Sequence, residues 1–201
     1  MNRRLGVLIS GRGSNLQSLI DAIRGGRLNA TIGVVISNVA DAGGLERARA
    51  AGIEAIVLSH RGWASRDEYD LALARELRAR DVGLVCLAGF MRILGGPLVD
   101  SYPNAILNIH PALLPSFPGV DAQQQAVDHG VKISGVTVHF VTRDLDAGPI
   151  VLQRAVPVLD GDTGETLAAR ILEQEHLAYP EAVGSVLDGG WTVDGRRLVR
   201  L

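Results

Sequence analysis

The sequence predicts an α/β protein: an open, mostly parallel twisted sheet with helices on both faces and antiparallel strands in the C-terminal half. Three observations lead there. Short apolar runs at residues 5–9, 31–36, 55–58, 83–87 and 105–107 have the length of buried strands. Helical segments at 15–24, 44–51 and 65–80 separate the first four of these runs. Strand and helix in alternation build a parallel sheet, because each crossover is itself a helix that covers the sheet. After residue 111 the pattern changes to two neighbouring extended runs, 133–141 and 148–158, which are expected to pair antiparallel. The whole is Rossmann-like.

Each element has its own reason. The segment 65–80 opens on Ser65, a capping residue, and places Tyr69, Leu73 and Leu77 on one face. Residues 133–141 alternate, with Val136, Val138 and Phe140 on one side. Thr163 caps a helix expected from 164 to about 186, kinked near Tyr179 by Pro180. Residues 191–201 form a terminal hairpin turning at Asp194-Gly195. The break near residue 111 is a subdomain boundary and not a separable domain.

Composition bounds the function. The chain has 201 residues, 47% of them hydrophobic, which suits one globular domain with a sizeable core. A net charge of −2 with no basic run argues against a nucleic-acid partner. No apolar stretch approaches the roughly 20 residues of a membrane span. The single cysteine, Cys86, cannot form an internal disulfide and lies in an apolar run. That fits a reducing cytoplasm.

Three motifs carry chemistry. Asn108-Ile109-His110 ends the fifth apolar run, and alternation sends Asn108 and His110 to one side of the strand. Pro111 then stops the ladder. An amide and an imidazole at the carboxyl end of a strand sit where open α/β sheets place ligands, and Asp146 lies in a Gly/Pro-punctuated loop able to reach them. Taken singly, His110 could be a satisfied structural histidine, Asn108 a cap, and Asp146 the holder of its own turn. Together they suggest acyl transfer. The second motif, Gly11-Arg12-Gly13-Ser14-Asn15, joins the first strand to the first helix. Its backbone N–H groups suit a phosphomonoester, or the turn binds nothing and is only tight. A dinucleotide is disfavoured, since Leu16 stands where a third glycine is wanted and Ser37-Asn38 where an acid is. The third, residues 87–94, is apolar around Arg92 and forms a slot for a flat ring or ordinary core. The five histidines show no metal-ligand spacing, and no Gly-x-Ser-x-Gly elbow is present.

These segments as a set, with Val138 to Pro149 and Gln174-Glu175-His176, resemble the phosphoribosylglycinamide formyltransferase family over nearly the whole chain. The resemblance implies one formyltransferase domain, 1–201, with a phosphate-binding half (1–110) and a folate and catalytic half (111–201). It implies transfer of a formyl group from 10-formyltetrahydrofolate, a co-substrate, to the amine of glycinamide ribonucleotide in purine synthesis, with no metal. Asn108, His110 and Asp146 are then catalytic. Gly13, Ser14 and Asn15 hold the phosphate, and Glu175 meets the ribose. Arg66, Met91, Arg92, Ile93, Leu94, Asn108, Val141, Asp144 and Asp146 hold the folate, Arg66 at its glutamate tail. Partners are small molecules only, with no nucleic acid or membrane, and the chain is a monomer or homodimer in the cytoplasm. Two departures stand out: residues 120–125 lack the histidines many relatives carry there, and Leu172 replaces a glutamine. Alternatives using the same trio are formyltetrahydrofolate deformylase, a hydrolase, and methionyl-tRNA formyltransferase. The former adds an N-terminal domain, the latter a C-terminal one. A non-enzymatic phosphate- or nucleotide-sensing module needs only the glycine-rich turn.

Overall fold

A computed structural model describes residues 2–201. The strands are β1 (Arg4–Ile9), β2 (Thr31–Ser37), β3 (Ala55–Val57), β4 (Leu84–Leu87), β5 (Ile106–His110), β6 (Ile133–Phe140), β7 (Ile150–Pro157), β8 (Trp191–Asp194) and β9 (Arg197–Arg200). The helices are α1 (Ser14–Arg24), α2 (Gly43–Ala50), α3 (Arg66–Arg78), α4 (Gly96–Ser101), α5 (Ala122–Asp128) and α6 (Gly164–Asp188). The strands make one mixed sheet in the order β3-β2-β1-β4-β5-β6-β7-β9-β8. The chain divides into two compact units, the first ending at Leu107 and the second running from Asn108 to Leu201. The division falls inside β5 and not after His110.

In the first unit β1 is the central strand, parallel to β2 and to β4, with Val7 opposite both Val35 and Cys86. β1 is buried along nearly its whole length, as the continuous apolar run at 5–9 requires of a strand covered on both faces. Ser65 caps α3 by accepting the Glu68 backbone N–H at 3.1 Å. α4 was not expected. It has only six residues and opens on Gly96-Pro97 after Gly95, a start that signals a turn before it signals a helix.

In the second unit β6 and β7 pair antiparallel, with Val136 opposite Arg154. Val136, Val138 and Phe140 are fully buried, which fixes the register, since a slip of one residue would turn them out. α6 starts with a reciprocal cap, Thr163 accepting from the Thr166 N–H and Thr166 from the Thr163 N–H. It continues through Pro180 to Asp188. The terminal hairpin forms as β8 and β9, antiparallel, with its turn at Gly195-Arg196, one residue later than expected. α5 is a second unexpected helix, in the polar segment after Gly119. Its N-cap, Asp121, is left-handed and makes no side-chain cap. Among the described residues no helix is long and apolar enough to cross a membrane.

Candidate active site

The candidate catalytic groups lie in the second unit. Asn108 and His110 occupy alternate positions of β5, Asn108 half-buried and His110 buried. His110 Nε2 is 2.8 Å from the Phe117 carbonyl oxygen. A carbonyl only accepts, so this nitrogen carries the hydrogen. The Phe117 ring packs against His129, with centroids 5.2 Å apart. His110 Nδ1 is left facing Asp146 Oδ2 at 3.5 Å.

A second histidine completes the group. His139 alternates with Phe140 on β6. Its Nδ1 donates to the Phe140 carbonyl at 2.9 Å, which makes Nε2 the acceptor for the Asn108 amide at 3.2 Å. The same Nε2 is 3.6 Å from Asp146 Oδ1. One carboxylate therefore faces two imidazoles, and the Gly119 N–H donates to its Oδ2 at 2.8 Å. Asp146 has φ +49°, a left-handed conformation that aspartate tolerates better than most residues and that surrounding bonds must maintain.

These contacts set the protonation states. Burial is the largest influence on His110 and pushes its pKa below the ordinary value, against the Phe117 carbonyl and Asp146, which favour the charged ring. For Asp146 burial pushes upward, but the contact with His139, the Gly119 N–H and the charge the two imidazoles carry in acid, where a carboxyl titrates, outweigh it and hold the carboxyl below its usual range. The site thus keeps an ionised acid beside an imidazole that is mostly neutral at pH 7. A proton arriving at His110 Nδ1 finds the carboxylate already in place.

The other second-unit residues named from the sequence are spread along the elements. Glu175 is buried on α6. Val141 and Asp144 lie on the loop after β6, Val141 half-buried and Asp144 exposed, and Thr142 donates to the Asp144 carbonyl at 3.3 Å.

The first unit holds two clusters. Gly13, φ +72°, is the N-cap of α1, followed by Ser14 and Asn15. The carbonyls before it are tied down by α2: the Gly44 N–H donates to Gly11 O at 3.0 Å and Arg47 Nε to Arg12 O at 2.9 Å. The turn is thus braced from α2 where it opens α1, the kind of strand-to-helix turn that suits an anion. The second cluster is the segment after β4. Met91 is 75% exposed and Ile93 56%, whereas Leu94 is buried. The Arg92 guanidinium lies 5.8 Å from the Tyr69 ring centroid. Arg66 is exposed at the start of α3.

The formyl transferase family pattern matches residues 3–183. The chain belongs to the formyl transferase family. It is 46% identical to phosphoribosylglycinamide formyltransferase of Escherichia coli strain K12 over 200 residues, 96% of this chain and 94% of that one. It is 50% identical over 186 residues to the human trifunctional purine biosynthetic protein adenosine-3, covering 92% of this chain. The chain spans only 14–18% of the length of the trifunctional relatives it matches. The crystal structure of glycinamide ribonucleotide transformylase 1 from Symbiobacterium toebii superposes with a TM-score of 0.97 at 55% identity, over 100% of this chain and 94% of that one.

Three groups in this cluster have no place in the sequence reading. His139 had a signal: in a strand whose even positions Val136, Val138 and Phe140 point to the core, it belongs to the opposite face with Thr137. The Phe117 carbonyl and the Gly119 N–H had none, because main-chain atoms carry no residue signature.

Proposed function

We propose that the chain transfers the formyl group of 10-formyltetrahydrofolate to the amine of glycinamide ribonucleotide, giving formylglycinamide ribonucleotide and tetrahydrofolate. The observation that carries this is the cluster Asn108, His110, His139 and Asp146. It joins a neutral hydrogen-bond donor, a proton carrier and an ionised acid, the parts an acyl transfer between nitrogens needs.

The roles follow from the bonds. Attack of the amine on the formyl carbon makes a tetrahedral oxyanion. Asn108 uses one amide hydrogen on His139 and has a second to offer that oxygen. His139 orients the amide by presenting an unprotonated Nε2. The attacking amine must lose a proton and the departing nitrogen must gain one. His110 Nδ1 carries it, and Asp146 holds the ring as it becomes charged. Once charged, His110 stabilises the same oxyanion. Gly13, Ser14 and Asn15 bind the phosphate, and Glu175 the ribose hydroxyls. Arg66, Met91, Arg92, Ile93, Leu94, Val141 and Asp144 receive the folate. The exposed apolar side chains of Met91 and Ile93 on either side of Arg92 suit a flat ring with a charged tail.

Residues 1–201 act as one formyltransferase domain. Neither half carries both the anion-binding turn and the reacting groups. The substrates are small molecules, and no nucleic acid, membrane or metal enters the reaction. The protein acts as a monomer or homodimer in the cytoplasm, where a chain with one cysteine needs no oxidising machinery.

The test follows an isotopically labelled formyl group. Incubated with labelled 10-formyltetrahydrofolate and glycinamide ribonucleotide, the protein should place the label on the ribonucleotide's amine. Label recovered as formate, with or without ribonucleotide, would instead make it a deformylase.

A further inference from the structure

The segment carrying Met91–Leu94 is held at two points, and one of them is a buried acid with no part in the chemistry above. At the first, the Met91 N–H donates to Ser10 Oγ at 2.8 Å, and Ser10 in turn donates to Asn38 Oδ1 at 2.6 Å. At the second, the Gly95 N–H donates to Asp70 Oδ2. Asp70 sits in α3 and is 1% exposed. Its neighbour Tyr69 donates its hydroxyl to the Leu58 carbonyl at 3.0 Å and lies under Arg92. Consecutive residues of one helix thus grip positions 92 and 95, while Met91 and Ile93 face outward.

Gly95 permits this contact by having no side chain. A Cβ there would stand 2.7 Å from Asp70 Oδ2 and 3.1 Å from Asp67 Oδ1. Holding one N–H with a buried carboxylate is costly. Burial pushes the Asp70 carboxyl upward, Asp67 adds to the push, and the Gly95 N–H, Arg66 and Arg92 only partly oppose it. A raised carboxyl means that ionised Asp70 detracts from folding stability at neutral pH. Groups kept at such a cost are often found where function uses the geometry.

We propose that Asp70 is a positioning residue for the folate, setting the 91–94 segment through the Gly95 N–H. This rests on the assignment of folate to that segment. A binding loop held at one end only samples other conformations, and the ligand must then select the right one.

The experiment measures KM for each substrate separately, with melting temperature, in the full-length protein. Asp70→Ala removes the acceptor. Gly95→Ala keeps both partners but forces them apart at a φ of −92°, which alanine adopts freely. Both should raise the KM for 10-formyltetrahydrofolate about tenfold, with turnover number and ribonucleotide KM within about twofold. Asp70→Asn retains an oxygen for the Gly95 N–H and should return the folate KM close to wild type. A merely structural Asp70 would lower the melting temperature without separating the two KM values. Ile93→Ala serves as the control for the underlying assignment. If Ile93→Ala raises the folate KM and Gly95→Ala does not, Asp70 has no positioning role. If neither changes it, folate does not use this segment and the assignment itself fails. Asparagine as damaging as alanine at 70 would overturn the claim that the acceptor oxygen is what matters. Should Asp70→Ala fail to fold, Gly95→Ala and Asp70→Asn carry the comparison.

Discussion

His110 has one nitrogen committed to the Phe117 carbonyl and one facing Asp146, and its behaviour with pH follows. Burial lowers its pKa below 6.5, so the unfolded chain binds that proton more readily than the folded one. The stability it contributes is complete above pH 6.5 and is lost as pH falls through the folded-state value. Thermal melts across that range should show a shallower loss for His110→Asn than for wild type. Asp146 is depressed below 3.8, so its contribution persists through that window and disappears only in stronger acid. Asp146→Asn keeps a residue that tolerates φ +49° and removes the charge together with one acceptor oxygen. It should reduce the turnover number by about a hundredfold or more, and Asn108→Ala by a similar factor, since each takes away transition-state stabilisation. Because the Asp146 charge favours protonated His110, the same variant should move the His110 NMR titration to lower pH. A titration that moves upward would contradict the pairing. At this scale the sequence exposed what depends on side-chain alternation, Asn108 beside His110, and hid what depends on the main chain. His139 was legible by the same alternation, but only once histidine was sought as an orienting partner and not as a metal ligand.

The glycine-rich turn and the capped helix make separable predictions at the scale of elements. At Gly13 φ is +72° and an added Cβ would lie 2.6 Å from the Gly44 Cα, backbone that cannot step aside. Gly13→Ala should destabilise by more than about 1 kcal/mol in urea denaturation. It should also raise the ribonucleotide KM more than the folate KM. Equal changes in both would argue against a dedicated phosphate turn. Thr163→Ala should cost about 1 kcal/mol by loss of the α6 cap, with the turnover number unchanged. The long elements were readable because periodicity accumulates over their length, as in α3 and α6. α6 runs through Pro180 to Asp188, two residues beyond the expected end. α4 and α5 went unread for a common reason. Six and seven residues give too little periodicity to outweigh Gly95-Gly96-Pro97 in one case and a run of glutamines in the other.

For the whole molecule, the parallel β1, β2, β3 and β4 and the antiparallel β6 and β7 follow from the change of pattern near residue 111. Strand order across the sheet did not follow, because pairing between distant runs leaves no local mark. The division of the chain assigns the glycine-rich turn and the 91–94 segment to one unit and Asn108, His110, His139 and Asp146 to the other. The most direct measurement is therefore made on the intact chain: tetrahydrofolate release from 10-formyltetrahydrofolate as glycinamide ribonucleotide is raised from zero, for wild type and His110→Ala. Wild type should release little without ribonucleotide and saturate as it is added, and His110→Ala should be slower by about 10²–10³ with its fold intact. Release that ignores the ribonucleotide, or a His110→Ala protein that turns over normally, would contradict the account.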